Sequence, residues 1–250
     1  MTRHDGDDVP TSATLSQVRK AGRILRAWWL HRHASPLIDA DVDAAFQVLN
    51  DYRANHQYPL TKATMGLRSM VQTAAARGVV SQRLKRHVSI LSKLAREPTM
   101  QLTTMQDIAG CRAVVETVED VYAVWARLKR KKGRVVKPYD YIATPKSDGY
   151  RALHVVVQYD DQHGQRHRVE VQIRTEVQHE WAVVVERVGG RIGEDLKGGL
   201  GPPEMLRFLQ LASQAMALEE AGETVPPDLL AEVRQARARA DILMTRARSE

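Results

Sequence analysis

Hydrophobic positions along this chain change period twice. From about residue 14 to 80 they recur at helical spacing, with breaks near Ser35-Pro36 and Tyr58-Pro59. Lys85, Ser89 and Lys93 follow at i, i+4 and i+8, with Arg96 three residues later, which predicts a helix carrying one polar stripe. Ile90, Leu91 and Leu94 fall on its other side and pack inward. The run Ile108-Ala109-Gly110-Cys111-Arg112-Ala113-Val114-Val115 then reads as a buried strand entered from Asp107. Over 168–174 the period becomes two: Val169, Val171 and Ile173 alternate with Arg168, Glu170, Gln172 and Arg174. Residues 152–159 read as a neighbouring strand, joined to it by the short turn 160–164 as an antiparallel hairpin. Glycine-rich 189–203 predicts a mobile connector, and helical spacing returns over 204–221 and 227–248.

The polar positions carry the candidate chemistry. A stripe of cations with one hydroxyl suits a polyphosphate, because each ammonium or guanidinium donates charge-assisted hydrogen bonds to phosphate oxygens. The alternative is a solvated basic helix face. Asp107, at the strand entrance, is placed to hold Mg²⁺, an ion that takes few protein carboxylates and fills its remaining positions with phosphate and water. It needs one acidic partner; without one, an Asp capping a turn is the simpler reading. Glu170 supplies that partner, although its strand also has the alternation of any half-exposed strand. Tyr150, Arg151 and His154 follow the turn-rich loop 144–149 and fall near the same edge as Glu170.

These residues carry a resemblance. Five motifs stand in one order: Arg83/Lys85/Ser89/Lys93; Asp107-Ile108-Ala109-Gly110-Cys111-Arg112; Asp140-Tyr141-Ile142 with Pro145-Lys146; Gly149-Tyr150-Arg151-Ala152-Leu153-His154; and Val169-Glu170-Val171-Gln172-Ile173-Arg174-Thr175. Trp181-Ala182 and Glu186 trail them. The region from about Arg83 to Glu186 resembles the synthetase domain of the RelA/SpoT family, which includes small alarmone synthetases and their toxic relatives. The resemblance implies an α/β (α+β), nucleotidyltransferase-like mixed β-sheet flanked by helices, with helical N- and C-terminal extensions. It also implies transfer of the pyrophosphate of ATP to a ribose 3′-hydroxyl with release of AMP. Arg83 and Arg112 would then sandwich adenine; Lys85, Ser89, Lys93 and Arg151 would hold phosphates. Asp107 and Glu170 would hold Mg²⁺, with Glu170 or a nearby group assisting deprotonation of the hydroxyl. Tyr150 would stack on the acceptor base, and His154, Gln172, Lys146 and Tyr139 would line the acceptor side. Such transfer depends on positioning and charge neutralisation more than on covalent chemistry.

Two departures from the family pattern bear on the acceptor. Lys137-Pro138-Tyr139-Asp140 stands where the relatives carry a basic or acidic four-residue motif, so Tyr139 replaces a charge with a stacking surface. Arg187 stands where a His commonly follows the Glu. Charge points the same way: 37 Lys plus Arg against 30 Asp plus Glu give a formal net charge of +7, which favours a polyanionic partner. The run Arg127-Leu128-Lys129-Arg130-Lys131-Lys132-Gly133-Arg134 and the row Arg19, Lys20, Arg23, Arg26 concentrate the excess. Either is a solvated helix face or a grip on a phosphate backbone. Toxic relatives pyrophosphorylate the 3′-terminal adenosine of tRNA, and the favoured acceptor is therefore the tRNA 3′ end, with Lys129, Arg130, Lys131 and Lys132 on its backbone. GDP or GTP is the alternative. Either way, the resemblance implies an antitoxin protein or a separate alarmone hydrolase as counterpart, and a homo-oligomer is compatible with it.

The 250 residues suffice for one catalytic domain with flanks: a disordered tail and helical extension over 1–80, the synthetase domain over 81–190, and the connector and C-terminal helices over 191–250. The tail 1–12 is polar, and no hydrolase module with a His-Asp metal motif fits; His4-Asp5 lies in that tail. No P-loop is present, and His179-Glu180 lacks the second His of a zinc-protease helix. Asp39, Asp41 and Asp43 lack the Gly and Glu of a calcium loop. His163 and His167 are expected to be solvent-exposed around the hairpin turn, and Cys111 to be a buried small residue. With no signal segment and no 18-residue apolar stretch, a cytoplasmic location without membrane contact is expected.

Overall fold

The computed structural model describes residues 13–31, 40–131, 133–193, 196 and 199–246, with side chains as far as 244. Expectations placed on 1–12, Ser35-Pro36, Asp39, Lys132 and 247–248 lie outside these residues. The elements run α1 (Leu15–His31), α2 (Ala40–Asn55), α3 (Gln57–Thr73), β1 (Gly78–Leu84), α4 (His87–Arg96), β2 (Ala109–Val115), α5 (Val118–Lys129), β3 (Val135–Asp140), β4 (Leu153–Asp160), β5 (Arg166–Thr175), α6 (Glu176–Ile192), α7 (Pro203–Glu220) and α8 (Pro227–Arg246). The strands form one five-stranded mixed sheet in the order β1-β2-β5-β4-β3. By contacts the chain divides into two compact units, one of 1–63, 82–110 and 158–170, the other of 64–81, 111–157 and 171–250.

In the first unit, helical periodicity builds the core. Thr14 caps α1, its hydroxyl accepting from the Gln17 amide at 3.3 Å while the Gln17 side chain accepts from the Thr14 amide at 2.8 Å. Val18, Ala21 and Leu25 then share one face of α1 and pack with Leu49 and Tyr52 of α2 and Ile90, Leu91 and Leu94 of α4. Each fully buried Leu or Ile in that cluster contributes on the order of 2 kcal/mol. Gly22 permits the approach: a Cβ there would stand 3.0 Å from the Leu102 Cβ. Arg26, one of the basic row, turns inward and donates through Nε to the Leu94 carbonyl at 2.6 Å and through the guanidinium to those of Glu97 and Met100. It completes the C-terminal end of α4, where orphan carbonyls and the helix dipole both favour a cation.

A titratable cluster sits in the same unit. His167 is buried, not exposed as expected, because it falls in phase with Val169, Val171 and Ile173 on the inner face of β5. Its Nε2 lies 2.8 Å from Asp161 Oδ2, and its ring meets that of His56 edge-on at 4.5 Å. His56 donates from Nδ1 to the Tyr52 carbonyl at 2.7 Å. Burial, with His167 alongside, pushes the His56 pKa down from 6.5 to about 4. Burial raises that of Asp161, but hydrogen bonds from His167 and the Gln165 and His163 amides outweigh it and leave the carboxyl below its ordinary range. Burial likewise holds the Tyr52 phenol protonated, opposed by Arg168. Neutral His56 thus contributes stability that is fully present above pH 6.5 and is lost as the pH falls towards about 4. The loss is about 3 kcal/mol. In urea titrations at pH 7 and pH 4, His56→Phe should flatten this dependence; an unchanged slope would remove His56 as its source.

In the second unit, Gly78 brings β1 against β2: a Cβ there would meet the Val114 carbonyl oxygen at 2.5 Å. Thr117 caps α5 through the Asp120 amide, 3.1 Å. Thr175 and Gln178 form a capping box that starts α6, so the strand-to-helix corner is set by two side chains. Trp181, Ala182 and Val185 of α6 pack with Met205 and Leu209 of α7 and with Tyr150 and Ala152. The α7–α8 hairpin adds its own cluster of Leu211, Ala215, Val225, Leu229 and Ala236. β3 pairs antiparallel with β4, setting Tyr139 opposite His154 and Asp140 opposite Leu153.

Three further expectations change. Lys85 precedes α4, which starts at His87, so the stripe is not one helix long. The helical stretch breaks at His56, near Tyr58-Pro59 as expected, with Pro59 tolerated in the first turn of α3, but it ends before β1 and does not run to about residue 80. α6 continues through Gly189 and Gly190 to Ile192, with Gly189 buried, and Gly193 ends it in the left-handed conformation at φ 72°. Cys111 is buried, as expected. No helix among the described residues is long and apolar enough to cross a membrane.

Candidate active site

In the first unit two of the residues expected to bind anions converge on a carboxylate. Lys85 sits in the short connection between β1 and α4, its amide donating to the Ile108 carbonyl at 2.8 Å and its carbonyl accepting from Arg53 Nε at 2.9 Å. Its backbone is thereby fixed beside Asp107. Lys85 Nζ lies 2.8 Å from Asp107 Oδ2 and Lys93 Nζ 3.2 Å from Oδ1, with all three side chains between 15% and 22% exposed. Two half-buried ammonium groups on one carboxylate leave the trio with a net charge of +1. Phosphate oxygens can take the ammonium groups as the carboxylate turns to a cation. Ser89 is exposed in the first turn of α4, and the N-cap residue Arg86 makes no side-chain cap to that turn. Arg83 is exposed on β1. β2 and β5 are neighbours in the sheet, and a Cβ at Gly110 would lie 3.5 Å from the Glu170 carbonyl oxygen. Glu170 therefore stands beside the start of β2, three residues on from Asp107.

In the second unit the aromatic residues gather around Lys146. Its ammonium lies 4.6 Å from the Tyr141 ring centre and 5.3 Å from that of Tyr150, while Lys137 sits 4.7 Å from the Tyr139 ring. Tyr139 and Tyr141 lie nearly parallel, centroids 6.0 Å apart, and Tyr141 meets His154 edge-on. Tyr150 is buried at 1% exposure, and its hydroxyl lies 2.7 Å from His154 Nε2. Arg174 also donates to that hydroxyl. Arg112 and Arg174 both point at His179 Nδ1, the first at 3.5 Å, so that nitrogen accepts. Burial, then the charge of Arg112, lowers the Arg174 pKa to about 10, which leaves it cationic at neutral pH.

The structure brings Lys85, Lys93 and Asp107 together in one unit and Tyr139, Lys146, Tyr150 and His154 in the other. Gln172 is half-buried on β5. Lys129, Arg130 and Lys131 are exposed at the end of α5. Arg151 turns away from solvent: it is buried and paired with Glu220 of α7. Sequence reasoning gave no site role to Tyr141, Arg174 or His179, although it named all three, and did not single out Glu220. Tyr141 was within reach, because it lies two residues from Tyr139 and adjoins a motif Asp. Glu220 lies 69 residues from its partner and carries no local signal.

Residues 82–187 match the family model described as a region found in RelA / SpoT proteins. Over 143 residues the chain is 38% identical to GTP pyrophosphokinase YjbM of Bacillus subtilis, covering 54% of this chain and 65% of that protein. It is 34% identical over 124 residues to GTP pyrophosphokinase YwaC of the same organism, covering 46% and 59%. The chain thus spans less than two thirds of the length of these relatives. Among solved structures, small alarmone synthetase 1 from Bacillus subtilis bound to its product pppGpp superposes with a TM-score of 0.62 at 26% identity, covering 75% of this chain and 96% of that one.

Proposed function

Residues 82–187 of this chain are a RelA/SpoT region, and from that premise we propose that the protein is an ATP-dependent pyrophosphokinase. A ribose 3′-hydroxyl attacks the β-phosphorus of ATP, the bond from that phosphorus to the α,β-bridging oxygen breaks, and AMP leaves. The observation that carries the reading is the convergence of Lys85 and Lys93 on Asp107. Lys85, Lys93 and Ser89 bind the phosphates, and Arg83 and Arg112 serve the adenine. Glu170 takes the hydroxyl proton. Asp107 and Glu170 are the donors for magnesium. Among the described residues no group of three or more His, Cys, Asp or Glu is assembled for a resident ion. A two-carboxylate donor set fits an ion that arrives on phosphate oxygens. When bound, the ion supplies charge neutralisation on those oxygens.

For the acceptor, the relatives, both GTP pyrophosphokinases, support a guanosine 5′-di- or triphosphate, held by His154, Gln172 and Lys146; Tyr150, expected to stack on the acceptor base, is instead buried at 1% exposure and bonded to His154. A second reading, the 3′-terminal adenosine of tRNA, is favoured by a specific observation. The parallel Tyr139 and Tyr141 rings, each beside a lysine, offer faces on which successive bases stack, a mode of single-strand binding that depends on no base edge.

The test is to incubate the protein with β- or γ-labelled ATP and Mg²⁺, and with GDP, GTP or deacylated tRNA. Label on guanosine nucleotide alone establishes alarmone synthesis, and label on tRNA that blocks aminoacylation establishes the second reading. Label on neither overturns the pyrophosphokinase reading. If tRNA is the acceptor, Lys129→Ala, Arg130→Ala and Lys131→Ala together should weaken its modification about tenfold and reduce its salt dependence, with guanosine labelling unaltered. Equal loss of both would assign that run to folding or ATP binding.

A further inference from the structure

α7 lies beyond the RelA/SpoT region, yet it holds the Gly149–Arg151 segment at two points. Ser213 Oγ donates to the Gly149 carbonyl at 2.5 Å, and Arg151 donates to the Glu220 carboxylate. Glu220 also accepts from Thr175 Oγ1 and from Gln178 Nε2, the latter at 3.4 Å. Thr175 and Gln178 are the capping box of α6, so one carboxylate ties together the loop, the β5–α6 corner and the end of α7. The Arg151 and Glu220 side chains are each 7% exposed. A buried ion pair with both carboxylate oxygens occupied fixes geometry strongly, because removing either member strands the other charge in a dry site.

Tyr150 is the residue between the two anchored positions. Its amide is bound to Asp148 Oδ1 at 2.8 Å and its carbonyl accepts from the Lys146 amide at 3.2 Å. The placement of its hydroxyl on His154 therefore follows from where α7 holds its neighbours. We propose that Glu220 is a positioning residue, acting through Arg151 and the α6 cap to hold the Tyr150–His154 pair in register. Arg151 is then a structural cation and not a phosphate ligand.

Only the kinetic arm of the test rests on the pyrophosphokinase reading. Hydrogen exchange of the amides in 146–152 is measured for the wild type, for Glu220→Ala and for the isosteric Glu220→Gln, the last covering the case in which the alanine variant does not fold. In a folded variant, loss of the clasp should speed exchange of this segment about tenfold while the α1–α2–α4 core keeps its protection. With activity present, the KM for the acceptor should rise about tenfold and the Kd for ATP, by direct binding, should stay within about twofold. Unchanged exchange in 146–152 overturns the proposal. So does an ATP Kd that weakens in Arg151→Lys as much as the acceptor KM rises, since that makes Arg151 a phosphate ligand. A wild type that transfers nothing refutes the enzymatic reading and leaves the exchange result to decide the clasp.

Discussion

Asp107→Asn is expected to slow pyrophosphoryl transfer about a thousandfold, because it would remove one of the two donors proposed for an ion that would neutralise charge on the transferring group. The change is nearly isosteric, so the position of the side chain is kept and only its charge is lost. The ground state reacts in the opposite direction. Lys85 and Lys93, 2.8 and 3.2 Å from Asp107, lose the anion they share and become better partners for phosphate. ATP affinity should hold or tighten as the rate collapses, a split that a folding defect does not produce. Initial rates together with equilibrium binding of ATP check this, and Glu170→Gln should lose rate comparably. If Asp107→Asn retained more than about a tenth of the wild-type rate, Asp107 would be a structural anchor for the two lysines and nothing more.

Gly149→Ala is the substitution with the largest expected effect on the fold. Gly149 has φ of +89°, and a Cβ there would stand 2.9 Å from Ser213 Cβ, 3.0 Å from Gln210 Cα and 3.0 Å from the Leu209 carbonyl oxygen. Two of these are backbone atoms of α7, so no side-chain rotation relieves the overlap. The left-handed conformation costs about 1–2 kcal/mol in itself, and the overlap adds about 1–3 kcal/mol. Gly164→Ala is the matched control: φ is +79°, with nothing within 4 Å of the added atom. Urea unfolding should show it losing only the conformational part. Equal losses in the two variants would mean that contact with α7 does not constrain position 149.

What the chain's pattern disclosed depended on how strongly each element was buried. β5 and β2 were legible because one face or both are packed, so apolar residues mark the period. β1 and β3 were not. They are the edge strands; five of the twelve residues other than Gly78 in Gly78–Leu84 and Val135–Asp140 are polar or charged, and β3 contains Pro138 and a register shift between Val135 and Lys137. His167 shows an error of weighting, since its strand phase placed it inside while its nearness to a turn suggested solvent. The first half of the candidate site followed from short-range spacing, Lys85 included, even though the supposed helix begins two residues later. The clasp on Arg151 needed the tertiary structure, because Glu220 looks like any charged residue near a helix end.

The capping and packing of α6 bear on how such a region can be inherited. Residues 82–187 are what the family model matches, yet the helix at their end continues to Ile192, and Trp181 Nε1 donates to the Leu209 carbonyl at 3.2 Å. A recombination event that cut at residue 187 and moved the shared segment elsewhere would expose Trp181, Ala182 and Val185 and leave an indole N–H to find a new acceptor. A transferable piece that kept α6 folded would therefore have to extend past residue 187 and take in α7.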